Sequence, residues 1–229
     1  MDAAPLLVDH PRPGVARLLL NRPERHNALD RELVAALLAA VEAERERVIV
    51  LGSAGTGRFC GGADTSLDDA ERAAVSAALY TLYARILELP RPVLAALDGP
   101  AIGGGLQLAI TCDLRIAAPA AWLQARGPGH GLAVAAWGLP TLVGRSRALD
   151  LCLTGRRVEA GEALAIGLVD RVEDDPGVAA VALAAEFAEL DEPAVARVKA
   201  IVARAGDPAA ALAEEAAGNR GWTGTLPPR

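Results

Sequence analysis

Residues Pro100–Asp113, reading PAIGGGLQLAITCD, constrain this chain more than any other stretch. An apolar run, Val93 to Leu97, leads into them and reads as a buried strand. Asp98-Gly99-Pro100 is a turn signal. Gly103, Gly104 and Gly105 then open an apolar segment that reads as a buried helix of about two turns. Glycines at a helix start let another group come close to the free backbone N–H donors. Those donors and the helix dipole favour negative charge, which suits a developing oxyanion. Glycines placed there only for tight packing are the plainer reading, and the triplet alone does not decide.

A second glycine-rich stretch bears on the choice. Val48 to Leu51 reads as a strand, followed by Gly52-Ser53-Ala54-Gly55-Thr56-Gly57-Arg58-Phe59-Cys60-Gly61-Gly62-Ala63-Asp64. Two glycine-rich loops, each leaving an apolar run, can offer two N–H donors to one carbonyl oxygen. The stretch is not a phosphate-binding P-loop: Arg58 and Phe59 stand where that motif needs Lys and Ser or Thr. Nor does a G-x-G-x-x-G follow a strand, so a dinucleotide fold has no support.

These residues carry a resemblance. Phe59-Cys60-Gly61-Gly62-Ala63-Asp64 resembles the F-x-x-G-A-D stretch of the crotonase (enoyl-CoA hydratase/isomerase) superfamily. Asp98 to Ala109 resembles its N-G-x-A-x-G-G-G-x-E-L-A, and Leu20 to Leu29 its L-N-R-P-x-x-x-N-A-L. Leu153-Thr154-Gly155 through Ala165-Ile166-Gly167-Leu168-Val169 resembles its L-T-G … A-x-x-x-G-L-V. The motifs stand in the family's order from about residue 15 to residue 205.

The chain has 229 residues, enough for one large domain with a sizeable core. Its hydrophobic set makes up 52% and its aromatics only 3%, which favours closely packed, alanine-rich helices. A net charge of −6 argues against a general nucleic-acid binder. Cys60, Cys112 and Cys152 are far apart with no C-x-x-C spacing, so they read as reduced thiols. No signal-peptide pattern and no apolar run of membrane-spanning length stand out, so the expected setting is cytoplasmic, with no membrane partner. No His or carboxylate cluster suggests a metal.

In order, Leu6–His10 and Val15–Leu20 predict a hairpin, and a helix with Leu33, Leu37, Leu38 and Val41 on one face follows, capped by Asn27 or Asp30. Asp68 to Leu89 predicts a long helix with Asp68 and Asp69 as capping residues; its Tyr80 and Tyr83 read as core or as acyl-pocket lining. Strands are expected at 114–118 and 122–124, an irregular loop at 126–131, and helices at 133–142, 145–153, 159–166, 177–190, 193–205 and 208–218. This pattern is α/β, or strands with segregated helices. The resemblance implies more: a crotonase-like spiral of ββα turns over 1–175. It also implies a helical C-terminal trimerisation region, here 176–229 and shortened, giving a homotrimer or dimer of trimers.

The resemblance also implies the chemistry. The N–H groups of Ala63 and Gly104 would hold the thioester carbonyl of an acyl-CoA, in fatty-acid or related acyl-CoA metabolism. Arg25, His26, Gly61, Ala63, Thr65, Gly103 and Gly104 would line the CoA and thioester site. Coenzyme A would come as part of the substrate, with no permanently bound cofactor. Asp64 and Asp113 read as structural. Hydratases of this family use two glutamates; Gln107 stands at the first position, and the region of the second reads Trp122-Leu123-Gln124-Ala125-Arg126. An amide orients water but takes no proton near neutral pH. Each lost general acid–base group typically costs about 10²–10⁴-fold. Hydration is therefore expected to be weak or absent, unless His130 substitutes. Three readings compete: a crotonase-type enzyme with another acid, a non-catalytic acyl-CoA binding or carrier protein, and a purely structural trimer. The intact glycine loops favour the first two. The lid segment that the resemblance implies at the C-terminus is expected to be absent or rebuilt here.

Overall fold

The computed structural model describes residues 4–55 and 57–204, with residues 212, 213, 216, 217, 219, 220 and 223 beyond them. Strands β1 (Leu6–Arg12) and β2 (Val15–Leu20) form the hairpin, with Leu6 opposite Leu20. From β2 onward the main sheet is parallel: β3 (Val48–Ser53), β4 (Val93–Leu97), β6 (Leu114–Ala117) and β9 (Arg171–Val172) add in that order. A smaller sheet holds β5 (Ala101–Ile102), β7 (Trp122–Gln124) and β8 (Arg157–Glu159).

The two sheets are linked as a spiral. Leu29 bridges Ala63, Cys60 bridges Ala101, and β5 pairs parallel with β7. Each of these segments follows a main-sheet strand. After Leu29 comes α1 (Arg31–Ala43), after Ala63 comes α2 (Asp69–Glu88), and after β5 comes α3 (Gly104–Thr111). The strand-strand-helix repeat expected from the resemblance is thus seen directly in the pairings.

Why the strands read as unbroken apolar runs is visible in the packing. Ile49 and Leu51 face the main core with Ala95 and Leu97. Val48, Val50, Leu94 and Ala96 face the other way, against Ala180, Leu183, Ala184 and Ala188 of α7 (Pro176–Ala188). A parallel sheet covered on both faces has no polar side to show. So α7 closes the outer face of the sheet.

Local signals explain the helix starts. Asp30, and not Asn27, caps α1 by accepting the Leu33 N–H at 2.9 Å. Asp68 caps α2 in a reciprocal box with Glu71, while Asp69 pairs with Arg72. α5 (Arg145–Thr154) and α6 (Ala160–Ala165) fall where the pattern puts helices. α8 (Glu192–Arg204) does too.

One expectation needs correction. A helix over 133–142 is predicted, but α4 covers only Leu139–Val143. Residues 132–138 stay irregular because Ala135 has φ +61° and its N–H is drawn to the Gln107 side chain. Strands β8 and β9 are not anticipated; at three and two residues they are too short to show a period. The predicted helix at 208–218 lies largely outside the described residues. No helix among the described residues is long and apolar enough to cross a membrane.

Candidate active site

The two glycine-rich loops meet. Cys60 N–H donates to the Pro100 carbonyl at 3.0 Å and Ile102 N–H to the Cys60 carbonyl at 3.0 Å. Gly62 (φ +93°) sits so close that a Cβ there would lie 2.6 Å from the Ile102 oxygen and 3.4 Å from Gly104 N. Asp98 joins the loops from outside, accepting from the Ser53 hydroxyl and, at 3.1 Å, from Gly57 N–H. The approach demands glycine at Gly62 for both space and backbone shape.

The start of α3 is set by Gly103, whose backbone at φ 53°, ψ −114° is open only to glycine. Gly103 N–H donates to the Gln124 carbonyl at 2.9 Å, and the Gly103 carbonyl accepts from Gln107 N–H at 3.0 Å. Gly104 N–H thus lies in the free first turn of the helix. On the facing loop, Leu29 N–H donates to the Gly62 carbonyl and Asp64 N–H to the Leu29 carbonyl. This ladder leaves out the Ala63 N–H. Among the described residues neither Ala63 N–H nor Gly104 N–H has a hydrogen-bond partner. Both residues are half-buried. The arrangement can hold one oxygen that carries partial negative charge.

Leu29 serves both halves. Its main chain holds the 62–64 segment, and its Cδ1 would be 3.2 Å from a Cβ at Gly104. Buried Asn27 (φ 52°) ties the lead-in loop to the first glycine loop. Its Oδ1 accepts from Arg22 N–H at 2.8 Å, and its Nδ2 donates to the carbonyls of Arg58 and Phe59. Asp64 turns to Ser66 and Arg22. Burial raises its pKa, but the Ser66 hydrogen bonds with Arg22 and Arg25 prevail and hold it below the ordinary carboxylate range.

Of the residues the resemblance marks for CoA, several gather on one exposed edge. The His26 carbonyl accepts from Gly61 N–H at 2.9 Å, and Arg25 is close enough to act on Asp64. Arg25, His26, Gly61 and Thr65 are exposed. Arg58 joins this edge by hydrogen-bonding the His26 ring, which the sequence did not announce.

The two glutamines do different things. Gln107 is 5% exposed, and its Oε1 accepts from Ala135 N–H at 3.0 Å and Trp137 Nε1–H at 3.1 Å. Its carbonyl is engaged in holding the 132–138 loop. Half-buried Gln124 donates from Nε2 to the Gly155 carbonyl at 2.5 Å. The Gln107 partners were missed by sequence reading; a polar residue in an otherwise apolar helix was the available sign that such partners existed.

His130 ends a 3₁₀ turn, Pro128–His130, in the loop that brings Arg126 alongside Gly103. Burial and the Arg126 charge lower its pKa. Protonation is then harder in the folded chain than in the unfolded one. The folded state should lose stability as pH falls below about 6.5, the ordinary histidine value. Urea unfolding at pH 7.5 and 5.5 checks this: His130→Gln should gain on the wild type at the lower pH. An unchanged difference at the two values would refute the assignment.

Cys60 and Cys112 are fully buried, and burial pushes both thiols up to about 12, so neither is a ready nucleophile. Among the described residues no cluster of metal-ligating side chains occurs.

Comparison with known proteins agrees with this geometry. The sequence profile described as Enoyl-CoA hydratase/isomerase matches residues 11–222. "Probable enoyl-CoA hydratase EchA12" of Mycobacterium tuberculosis is 39% identical over 215 residues, covering 85% of this chain and 75% of that protein. Among solved structures, a monofunctional enoyl-CoA isomerase from M. smegmatis superposes with a TM-score of 0.78 at 35% identity, covering 90% of this chain and 95% of that one. An enoyl-CoA hydratase from Bacillus anthracis gives 0.80 at 31% identity, covering 94% and 90%. With the spiral of strands, the meeting glycine loops and a profile match over nearly its whole length, the chain belongs to the enoyl-CoA hydratase/isomerase family.

Proposed function

We propose that this protein binds an acyl-CoA thioester with its carbonyl oxygen between the N–H groups of Ala63 and Gly104. We further propose that it hydrates enoyl thioesters weakly or not at all. The observation that carries the reading is the pair of unpartnered N–H groups on two interlocked loops. In a dry, preorganised site such donors stabilise a developing enolate by about 3–4 kcal/mol each. Arg25, His26, Gly61, Thr65 and Gly103 would contact the CoA moiety, with Arg58 added to that set by its hydrogen bond to His26.

The proton chemistry is where this chain departs. Gln107 stands where the family glutamate is expected, and its carbonyl is committed to Ala135 and Trp137. Gln124 is turned to Gly155. Neither amide takes a proton near neutral pH. A reaction needing only enolate stabilisation remains open to the two N–H groups, with His130 the candidate for any proton transfer. The second reading is a non-catalytic acyl-CoA binding or carrier protein, favoured by the same committed amides.

A homotrimer or dimer of trimers is part of the proposal. On α8, Val198 and Val202 are each at least 60% exposed and border an open groove of about 870 Å³ lined also by Ile110, Trp137 and Leu142, and Ile201 beside them is exposed as well. Apolar surface of this kind calls for cover.

The test is crotonyl-CoA at high protein concentration, followed by loss of enoyl absorbance and, separately, by calorimetry. Saturable binding is expected, with turnover at least about 10⁴-fold below a glutamate-bearing relative run in parallel. Turnover within tenfold of that relative would overturn the proposal on hydration. Absence of binding would overturn the thioester site.

A further inference from the structure

We infer that Tyr83 is a positioning residue for the thioester site, acting through the first turn of α3; the inference rests on the two-amide reading above. Tyr83 is wholly buried on α2, yet its hydroxyl donates to the Gly104 carbonyl at 2.8 Å. The same oxygen would lie 3.3 Å from a Cβ at Gly104, so the phenol packs directly on the residue that offers the N–H. Its ring is braced edge-on by Tyr80, with centroids 6.0 Å apart and planes at 79°. Leu29 and Leu79 close the other sides of Gly104.

The first turn of a helix is its least restrained part, because its N–H groups have no partner within the helix. At Gly103, Gly104 and Gly105 it also lacks side chains that could wedge it in place. A hydrogen bond from a buried, packed phenol to the Gly104 carbonyl replaces that missing restraint. It fixes the peptide that follows Gly104, while Gln107 N–H holds the Gly103 carbonyl of the peptide before it, so the peptide carrying the Gly104 N–H is restrained from both sides. The hydroxyl touches no reacting atom in this scheme. It sets the aim of a donor that does.

A paired-ligand measurement separates aim from general stability. Affinity for hexanoyl-CoA, a thioester, is compared with affinity for S-hexyl-CoA, a thioether without the carbonyl. The ratio reports recognition of the carbonyl oxygen alone. The wild type should prefer the thioester. Tyr83→Phe keeps the ring and loses the hydroxyl, and should cut that preference about three- to tenfold, the range for one net hydrogen bond. Thioether affinity should stay as it was.

A merely structural role would move both affinities together and leave the ratio unchanged, which would overturn the inference. A wild-type ratio near one would overturn the two-amide reading and the inference with it, so the two failures are distinct. If Tyr83→Phe does not fold, 3-fluorotyrosine at position 83 serves instead, in a chain carrying Tyr80→Phe. A more acidic phenol is a stronger donor at the same volume, so the thioester preference should rise relative to Tyr80→Phe alone. No rise would equally overturn the inference.

Discussion

Gly105→Ala will unfold the site and destabilise the whole chain by about 3 kcal/mol or more. In an exposed helix the same change would stabilise by about 1 kcal/mol, since alanine is the better helix former. Here the added Cβ would stand 2.4 Å from the Cys60 carbonyl oxygen, 2.8 Å from its Cβ and 2.9 Å from its Sγ. The carbonyl oxygen cannot move away without breaking the Cys60–Ile102 hydrogen bond that joins the loops. The helix must therefore retreat from the Cys60–Ala63 loop, and the Gly104 N–H retreats with it. The measurements are urea unfolding and calorimetric affinity for hexanoyl-CoA. A variant with the wild-type midpoint and wild-type affinity would show that the loops do not meet as described.

The second large effect is expected at Gln107. Gln107→Leu conserves approximate size but removes an acceptor that satisfies two buried donors, Ala135 N–H and Trp137 Nε1–H. Each donor that loses this acceptor costs about 1–3 kcal/mol, so a loss of about 2–6 kcal/mol is expected. Gln107→Glu keeps an acceptor oxygen for both donors and should cost clearly less, despite the desolvation of its carboxylate. Urea midpoints for the three proteins give the order wild type, Glu, Leu. A leucine variant as stable as the wild type would mean that Gln107 does not hold the 132–138 loop. The contrast matters for function too, because it tests whether this glutamine is kept for structure.

Much of this was legible in the residues. Strands β3 and β4 declared themselves as unbroken apolar runs because both faces of the sheet are covered. The start of α2 was marked by Asp68. The glycines pointed to two loops offering main-chain donors, and the structure brings those loops into contact at Gly62 and Gly104. What stayed hidden depends on pairs distant in sequence. Residues 133–138 have the composition of a helix, and only the Gln107 side chain, 28 residues before Ala135, explains why they do not form one. Nothing near Tyr83 signals that its hydroxyl meets a glycine carbonyl 21 residues on. The spiral itself follows from bridges of one or two residues, too short to have a periodicity.

Leu29 links the two donors mechanically. Because its main chain carries the Ala63 segment while its side chain rests on Gly104, a displacement of the chain entering α1 shifts both in the same sense. Displacement of that entry would then be common-mode, translating the donor pair without opening the gap between them. The site proposed above, which would recognise one oxygen atom by distance, would thereby be shielded from the flexing of the loops that build it.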